Sequence, residues 1–419
     1  MTELNNNPAG FPARRAALRL LDAVLRRGET LDQAQGSALK GVTEGADRAL
    51  ARAIAGEALR WLTDLDALID SATKRRLPDD AKARSVLRLM LAQWLRLDTP
   101  PHAVVATALP LLEGGPRKLA HGVFSTLSKR AATLPPVPTL PDMAWARWGD
   151  LADLVAPGIA VPPPLDITLA DHASTAEWAE KLGGVSLMPG HVRLPRGTAV
   201  EHLEGFAQGH WWVQDLAASL PARLLGAGAK EHGEGRFVLD LCAAPGGKTL
   251  QLAAAGWRVT ALDASDKRLE RLRDNLARTG LTADVIEADA LQWSPREAFD
   301  AILLDAPCTA TGTCRRHPDV LHRISPRHIA EMAELQTALL DRALGWLKPG
   351  GRLVYATCSL EPAEGEAQAA RIALTPDPIA PAELPAGIAP TSQGWVRTHP
   401  GMLAEVGGLD GFFIARWRG

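Results

Sequence analysis

From Phe237 onward the chain alternates between two hydrophobic periods, and this alternation restricts the fold more than any other feature. Short apolar runs at Phe237–Leu241, Arg258–Asp263, Ala283–Glu287, Ala301–Asp305 and Arg352–Ala356 read as strands. Segments with helical spacing lie between them, at Lys248–Ala255, Lys267–Thr279 and Ile329–Leu347. Strands that alternate with helices predict a doubly wound, mainly parallel, Rossmann-like sheet. A further helix is expected over Glu364–Leu374 and a last strand over Gly411–Trp417.

In an open sheet of this kind, ligands sit beyond the C-terminal ends of the strands. Those ends carry Asp240 with a Gly-rich turn, Asp263, Asp289, the run Asp305-Ala306-Pro307-Cys308, and Thr357-Cys358-Ser359. Acids or thiols at so many successive ends are hard to explain by packing. The turn, Asp240 to Thr249, reads Asp-Leu-Cys-Ala-Ala-Pro-Gly-Gly-Lys-Thr. Its glycines let backbone approach a ligand, and the following helix start offers free N–H groups. The stretch is like the tail of a P-loop, but Cys242 stands where the first Gly should be. A dinucleotide GxGxxG is absent as well. An adenosyl ligand without a triphosphate fits better, with Asp263 placed for ribose hydroxyls and Asp289 for the adenine edge.

The rest of the chain has a different character. Residues 13–130 are rich in Ala, Leu and Arg, with breaks at Gly28, Gly41–Gly45, Leu77–Asp80, Pro100–Pro101 and Gly114–Pro116. They predict a bundle of about six or seven short helices. Net charge over the whole chain is −2, but residues 1–135 hold 20 Lys+Arg against 14 Asp+Glu, and the remainder 26 against 34. This asymmetry suggests a basic interaction module joined to an acidic domain. Its clusters are Arg14-Arg15, Arg26-Arg27, Lys74-Arg75-Arg76, Arg84/Arg88 and Arg117-Lys118, either a solvated helix surface or contacts to phosphate. Residues 136–164 read as a Pro-rich linker holding one short helix around Trp145 and Trp148. Residues 165–232 read as a small α+β subdomain, with strands at Leu165–Leu169 and Val192–Leu194 and a helix at Ser174–Leu182 capped by Ser174. The α/β domain is expected over 233–419. No apolar run is long enough to span a membrane, and the polar start, Met1 to Pro12, lacks a signal-peptide core. The cytosol is therefore expected. Four cysteines without a CxxC pair argue against a disulfide framework and a zinc site.

Several motifs together resemble one family. Asp240–Thr249, Asp305–Thr313 (Asp-Ala-Pro-Cys-Thr-Ala-Thr-Gly-Thr), Arg315–Asp319 (Arg-Arg-His-Pro-Asp), Ala356–Leu360 (Ala-Thr-Cys-Ser-Leu) and Leu409–Arg416 are similar to the RNA cytosine-5 methyltransferases of the RsmB/Sun family. The resemblance covers roughly residues 165–419. By layout and basic character, the helical part is similar to the NusB-like RNA-binding domain of that subgroup. The resemblance implies S-adenosylmethionine as cofactor, small-subunit ribosomal RNA as substrate and 5-methylcytosine as product; the residue spacing predicts no metal, and a monomer is expected. It implies Cys358 as the nucleophile, Cys308 as the group that resolves the adduct, and Asp305 on the cytosine ring with a raised pKa. Lys248 would lie near the reacting groups. It implies cofactor contacts from Cys242, Ala243, Ala244, Pro245, Gly246, Gly247, Lys248, Asp263, Arg268, Asp289 and Asp305. A transfer-RNA substrate is the alternative within the class. A non-catalytic ribosome-assembly factor that keeps an adenosyl site is the alternative outside it.

Other residues have blander expectations. Cys242 lines or packs, because backbone does the binding there. Cys314 matches no required position. Arg315-Arg316 favours a phosphate or base contact over a solvated loop. His317 is a loop or RNA contact rather than a metal ligand. Trp211 and Trp212 pack rather than stack on bases. Asp215 matches a family segment whose following residues differ here, which leaves it without an assigned role.

Overall fold

A computed structural model of the chain describes residues 8–228 and 235–419. The expected boundary between residues 232 and 233 therefore lies outside the described residues. The chain forms two compact units. One comprises residues up to Ala160 together with Arg316–Arg323, and the other Val161–Arg315 together with Ile324–Gly419.

The first unit is helical. Phe11–Arg27, Leu31–Ala38, Gly45–Arg60, Leu62–Ser71, Lys82–Arg96, Pro101–Ala108 and Gly114–Lys129 pack around Leu20, Leu21, Ile54, Leu59, Leu65 and Leu87, all fully buried. Local chemistry sets the boundaries. Gly28, at φ +67°, ends the first helix, and Thr30 opens the second through a capping box with Gln33. The Arg84/Arg88 cluster and Arg14 are turned inward. Arg84 forks onto Asp70 at 2.6 and 2.9 Å, and Arg88 onto Asp66 at 2.7 and 2.8 Å. Arg14 is buried and donates to Gln93. Those three are internal ties, not a surface for phosphate. Arg15, Lys74, Arg75, Arg117 and Lys118 are exposed.

The Pro-rich stretch holds two helices, Asp142–Trp148 and Leu151–Ile159, where the spacing predicted one. It is fastened to the bundle: Thr139 donates twice to Asp64, and Arg60 and Arg96 donate to the carbonyls of Ile159 and Ala160. The short helix Val320–Arg323 also belongs here, with His322 Nε2 2.7 Å from the Leu59 carbonyl.

The second unit begins with a three-stranded antiparallel sheet, β1 (Leu165–Leu169), β2 (His191–Leu194) and β3 (Trp211–Val213), in the order β2-β1-β3. Its helix, Thr175–Lys181, is not capped by the Ser174 side chain; that hydroxyl donates to the Asp171 carbonyl instead. The main sheet follows, with β4 (Phe237–Leu241), β5 (Arg258–Asp263), β6 (Asp284–Glu287), β7 (Phe299–Asp305), β8 (Leu347–Thr357), β9 (Thr375–Pro376), β10 (Val396–Arg397) and β11 (Phe413–Arg418). The order is β10-β11-β8-β7-β4-β5-β6, with β9 on β11; β4 to β8 are parallel, β11 runs antiparallel to β8, and β9 and β10 each pair antiparallel with β11.

Strand periodicity explains how both faces are filled. Val238, Leu303, Val354 and Ile414 enter one apolar cluster, while their neighbours Leu239, Leu304, Leu353 and Phe413 enter the other. Strand order reverses at β4, which puts the crevice of such a sheet at the C-terminal ends of β4, β5 and β7. The helix expected over Glu364–Leu374 shrinks to Glu366–Ala369. A Gly at its N-cap and a Glu364 side chain tied elsewhere leave little to nucleate it.

Candidate active site

The turn after β4 is shaped by backbone that few residues tolerate. Cys242 has φ +64° and Gly246 φ +110°. A Cβ at Gly246 would lie 2.3 Å from Leu272 Cδ1, so glycine is required there twice over. Helix Gly247–Ala254 starts next, with no side chain capping its first amides.

Asp263, at the end of β5, is buried and supports this turn. Its carboxylate accepts from the Ala244 amide at 3.1 Å and the Ser265 amide at 3.0 Å, and Arg268 stands 3.5 Å away. Arg268 also donates to the Ala244 carbonyl. Asp289 is exposed and caps the turn after β6, accepting from Leu291 N and Gln292 Nε2. Burial pushes the Cys242 thiol well above its ordinary range, and its side chain packs against the core, as expected of a lining residue. Asp240, fully buried, is pushed up to about 7, first by burial. Thr249 donates to one of its oxygens at 2.5 Å, and the other has no hydrogen-bond partner among the described residues.

The ends of β7 and β8 meet this turn from the other side. Lys248 Nζ is 2.7 Å from Asp305 Oδ2 and 5.3 Å from the centre of the Phe412 ring. Cys308 Sγ and Cys358 Sγ are 3.4 Å apart, both as free thiols. The hydrogen bond to Cys358, followed by burial, holds the Cys308 thiol well above its usual range. Cys308 therefore keeps its proton at rest. Four of the sequence-predicted residues thus fall into two tight groups, one of the thiols Cys308 and Cys358 and one of the Lys248–Asp305 pair beside the turn.

Behind the thiols lies a polar layer that sequence reasoning missed. Glu364, fully buried, accepts from Thr309 N at 3.0 Å and Thr309 Oγ1 at 2.7 Å. Ser359 Oγ is 3.3 Å from both Thr309 Oγ1 and Thr311 Oγ1. Gly312 N donates to the Cys358 carbonyl, and a Cβ on Gly312 would sit 2.0 Å from the Gly411 oxygen. Arg315 is no surface cation. It is buried, donating to Asp215 at 2.5 Å, Asp410 at 2.8 Å and the Gly407 carbonyl at 2.8 Å. For Arg315 that overturns the expected phosphate contact, whereas Arg316 is exposed, and it gives Asp215 a role, as this cation's partner and the cap of helix Leu216–Arg223. Trp211 and Trp212 are buried, so packing is their function. The one available signal for this layer was a run of acids and hydroxyls in an apolar context, with partners 50 or more residues away.

The family model described as 16S rRNA methyltransferase RsmB/F matches residues 229–418, and that of the NusB family matches residues 12–114. The ribosomal RNA small subunit methyltransferase B of Klebsiella pneumoniae is 36% identical, with 96% of this chain and 97% of that protein covered. The chain belongs to the RsmB/F family of 16S rRNA methyltransferases. Among solved structures, this RsmB/F chain shares its fold with PH0851, with a TM-score of 0.71 at 22% identity over 97% of this chain and 98% of that one. A methyltransferase homolog protein from Pyrococcus horikoshii is 27% identical, with a TM-score of 0.54, over 66% of this chain and 93% of that one. Among the described residues of the RsmB/F chain, no helix is long and apolar enough to cross a membrane, and no cluster of three or more His, Cys, Asp or Glu could hold a metal.

Proposed function

We propose that this chain uses S-adenosylmethionine to methylate carbon-5 of a cytosine in small-subunit ribosomal RNA through a covalent adduct on Cys358. The observation that carries this reading is the pair of thiols 3.4 Å apart at the ends of β7 and β8, beside the Lys248–Asp305 pair.

The donor set around the β4 turn fits the cofactor. Gly246 and Gly247 keep side chains off the backbone, the helix start offers uncapped amides, and the carboxylates of Asp263 and Asp289 retain free lone pairs for hydroxyl and amine donors. When bound, S-adenosylmethionine supplies an electrophilic methyl group. Carbon-5 of cytosine is a poor nucleophile until a thiolate adds to carbon-6. Cys358 forms that bond, and Asp305, steadied by Lys248, hydrogen-bonds the ring edge as charge builds. With Cys358 Sγ bonded to carbon-6, the hydrogen bond that contributes most to raising the Cys308 thiol is gone. Cys308 then releases its proton to solvent and, as thiolate, takes the proton from the methylated carbon-5. The electrons of that C–H bond form the ring double bond, the bond from carbon-6 to Cys358 breaks, and Cys358 leaves as thiolate. The base must be unpaired for both faces to be reached. The exposed Arg15, Lys74, Arg75, Arg117 and Lys118 of the helical unit contact the RNA backbone.

The test is transfer of label from S-adenosylmethionine to unmodified 16S ribosomal RNA, with the product mapped. Cys358→Ala should abolish transfer, and Cys308→Ala should trap a protein–RNA adduct that survives denaturation. Label on any atom other than carbon-5, or an adduct that persists without Cys358, refutes the mechanism.

A further inference from the structure

We propose that Glu364 is a positioning residue that sets the two thiols against each other and matters most for the step performed by Cys308. The inference rests on the covalent reading above. Thr309 follows Cys308 directly and Ser359 follows Cys358 directly, and one buried carboxylate bonds to Thr309, whose hydroxyl in turn meets that of Ser359. Glu364 accepts from the Thr309 amide and hydroxyl at 3.0 and 2.7 Å, and that hydroxyl lies 3.3 Å from the Ser359 hydroxyl. The two cysteine-bearing turns come from strands about fifty residues apart, yet Glu364 holds the residue after one sulfur and, through it, reaches the residue after the other.

The backbone at Glu364 is itself held in place. Tyr355 donates its hydroxyl to the Glu364 carbonyl at 2.6 Å. Nearby, Arg397 forks onto Glu366 at 3.0 and 2.6 Å and donates to the Ser359 carbonyl. A buried carboxylate is a poor way to gain stability, because desolvation offsets its hydrogen bonds. It is a good way to fix direction, since charge-assisted bonds are short and geometrically narrow. Its bonds fall on the Cys308 side, through both the amide and the hydroxyl of Thr309. Loosening it should therefore spare attack by Cys358 and impair resolution, in which Cys308 takes the carbon-5 proton as the bond from carbon-6 to Cys358 breaks.

The experiment uses the full chain with S-adenosylmethionine and unmodified 16S ribosomal RNA. It compares wild type, Cys308→Ala, Glu364→Gln and Thr309→Val for kcat, KM, thermal melting and adduct on denaturing gels. Glu364→Gln should lower kcat about tenfold, as sub-ångström misplacement of a reacting group does. KM for RNA should hold, and adduct should accumulate above the wild-type level. Thr309→Val, which removes the hydroxyl from the other end of the same bond, should do likewise to a smaller degree. If Cys308→Ala traps adduct and Glu364→Gln loses turnover without trapping any, Glu364 only supports the fold and the inference fails. Wild-type kcat in Glu364→Gln overturns it too. If Cys308→Ala traps nothing, the covalent mechanism itself is wrong and the inference falls with it. Should Glu364→Gln not fold, Thr309→Val decides by the same criterion.

Discussion

Replacing Arg315 by Ala should destabilise the second unit by about 3–5 kcal/mol, the range for removing one partner of a buried ion pair. The structure says why the full range applies. The side chains of Arg315, Asp215 and Asp410 are 2%, 1% and 0% exposed, so solvent screens none of them. Asp215 would keep its bonds from Ala217 N and Asp410 N, which pulls the figure toward the lower end. Asp410 would lose its direct cation, and the Gly407 carbonyl would lose its donor. At roughly 2–4 °C per kcal/mol for a unit of this size, the melting point should fall by about 6–20 °C. The deficit should barely change between low and high salt, because the pair is buried. Arg315→Lys should recover only part of it, since one ammonium cannot reproduce the fork. Calorimetry and chemical denaturation of the ligand-free chain measure this. A loss under about 3 °C, or one that vanishes in high salt, would mean that the two carboxylates are not balanced by this cation.

Two further outcomes follow from the buried charges. Asp240, pushed up to about 7 by burial, holds its proton in the folded chain over a pH range where the unfolded chain has released it. Native protein thus binds the extra proton, and stability falls as pH rises from about 4 to 7. Asp240→Asn should flatten that fall, gaining on wild type at pH 8 relative to pH 5 in denaturant titrations; parallel curves would count against it. In the helical unit, Arg88→Ala should lower the melting point, because it leaves Asp66 without its fork. Arg117→Ala with Lys118→Ala should instead leave melting unchanged and reduce RNA affinity and its salt slope by about two. The opposite pattern would place RNA binding on the wrong residues.

The elements near the site were legible because their signals are local. β4 and β5 begin and end at the predicted residues, since each is a short apolar run between turn residues. The β4 turn and the two cysteines were legible as motifs, and the thiols do come within 3.4 Å of each other. What stayed hidden depends on pairing across long sequence separations. Arg315 beside Arg316 looks like a basic patch until Asp215 and Asp410, about one hundred residues away on either side, are brought to it. Arg84 and Arg88 mislead in the same way, because composition counts a charge without saying which carboxylate consumes it. Glu364 was absorbed into a helix that propensity favours. Its bond to Thr309, 55 residues back, is what the chain makes in place of that helix.

The division of the chain has a practical consequence for any attempt to cut it. Because Arg316–Arg323 belongs with the helical unit, a fragment starting at residue 161 would carry eight residues of the other unit inside it. Val320 and Leu321, now buried, would lose their cover, and His322 its carbonyl partner at Leu59. The helical half made alone would in turn lack this insert. Gene fusions and domain exchanges should therefore move the eight residues with the helices, or replace them by a polar connector. A single cut in the Pro-rich stretch respects the order of the sequence but not the body to which each residue belongs.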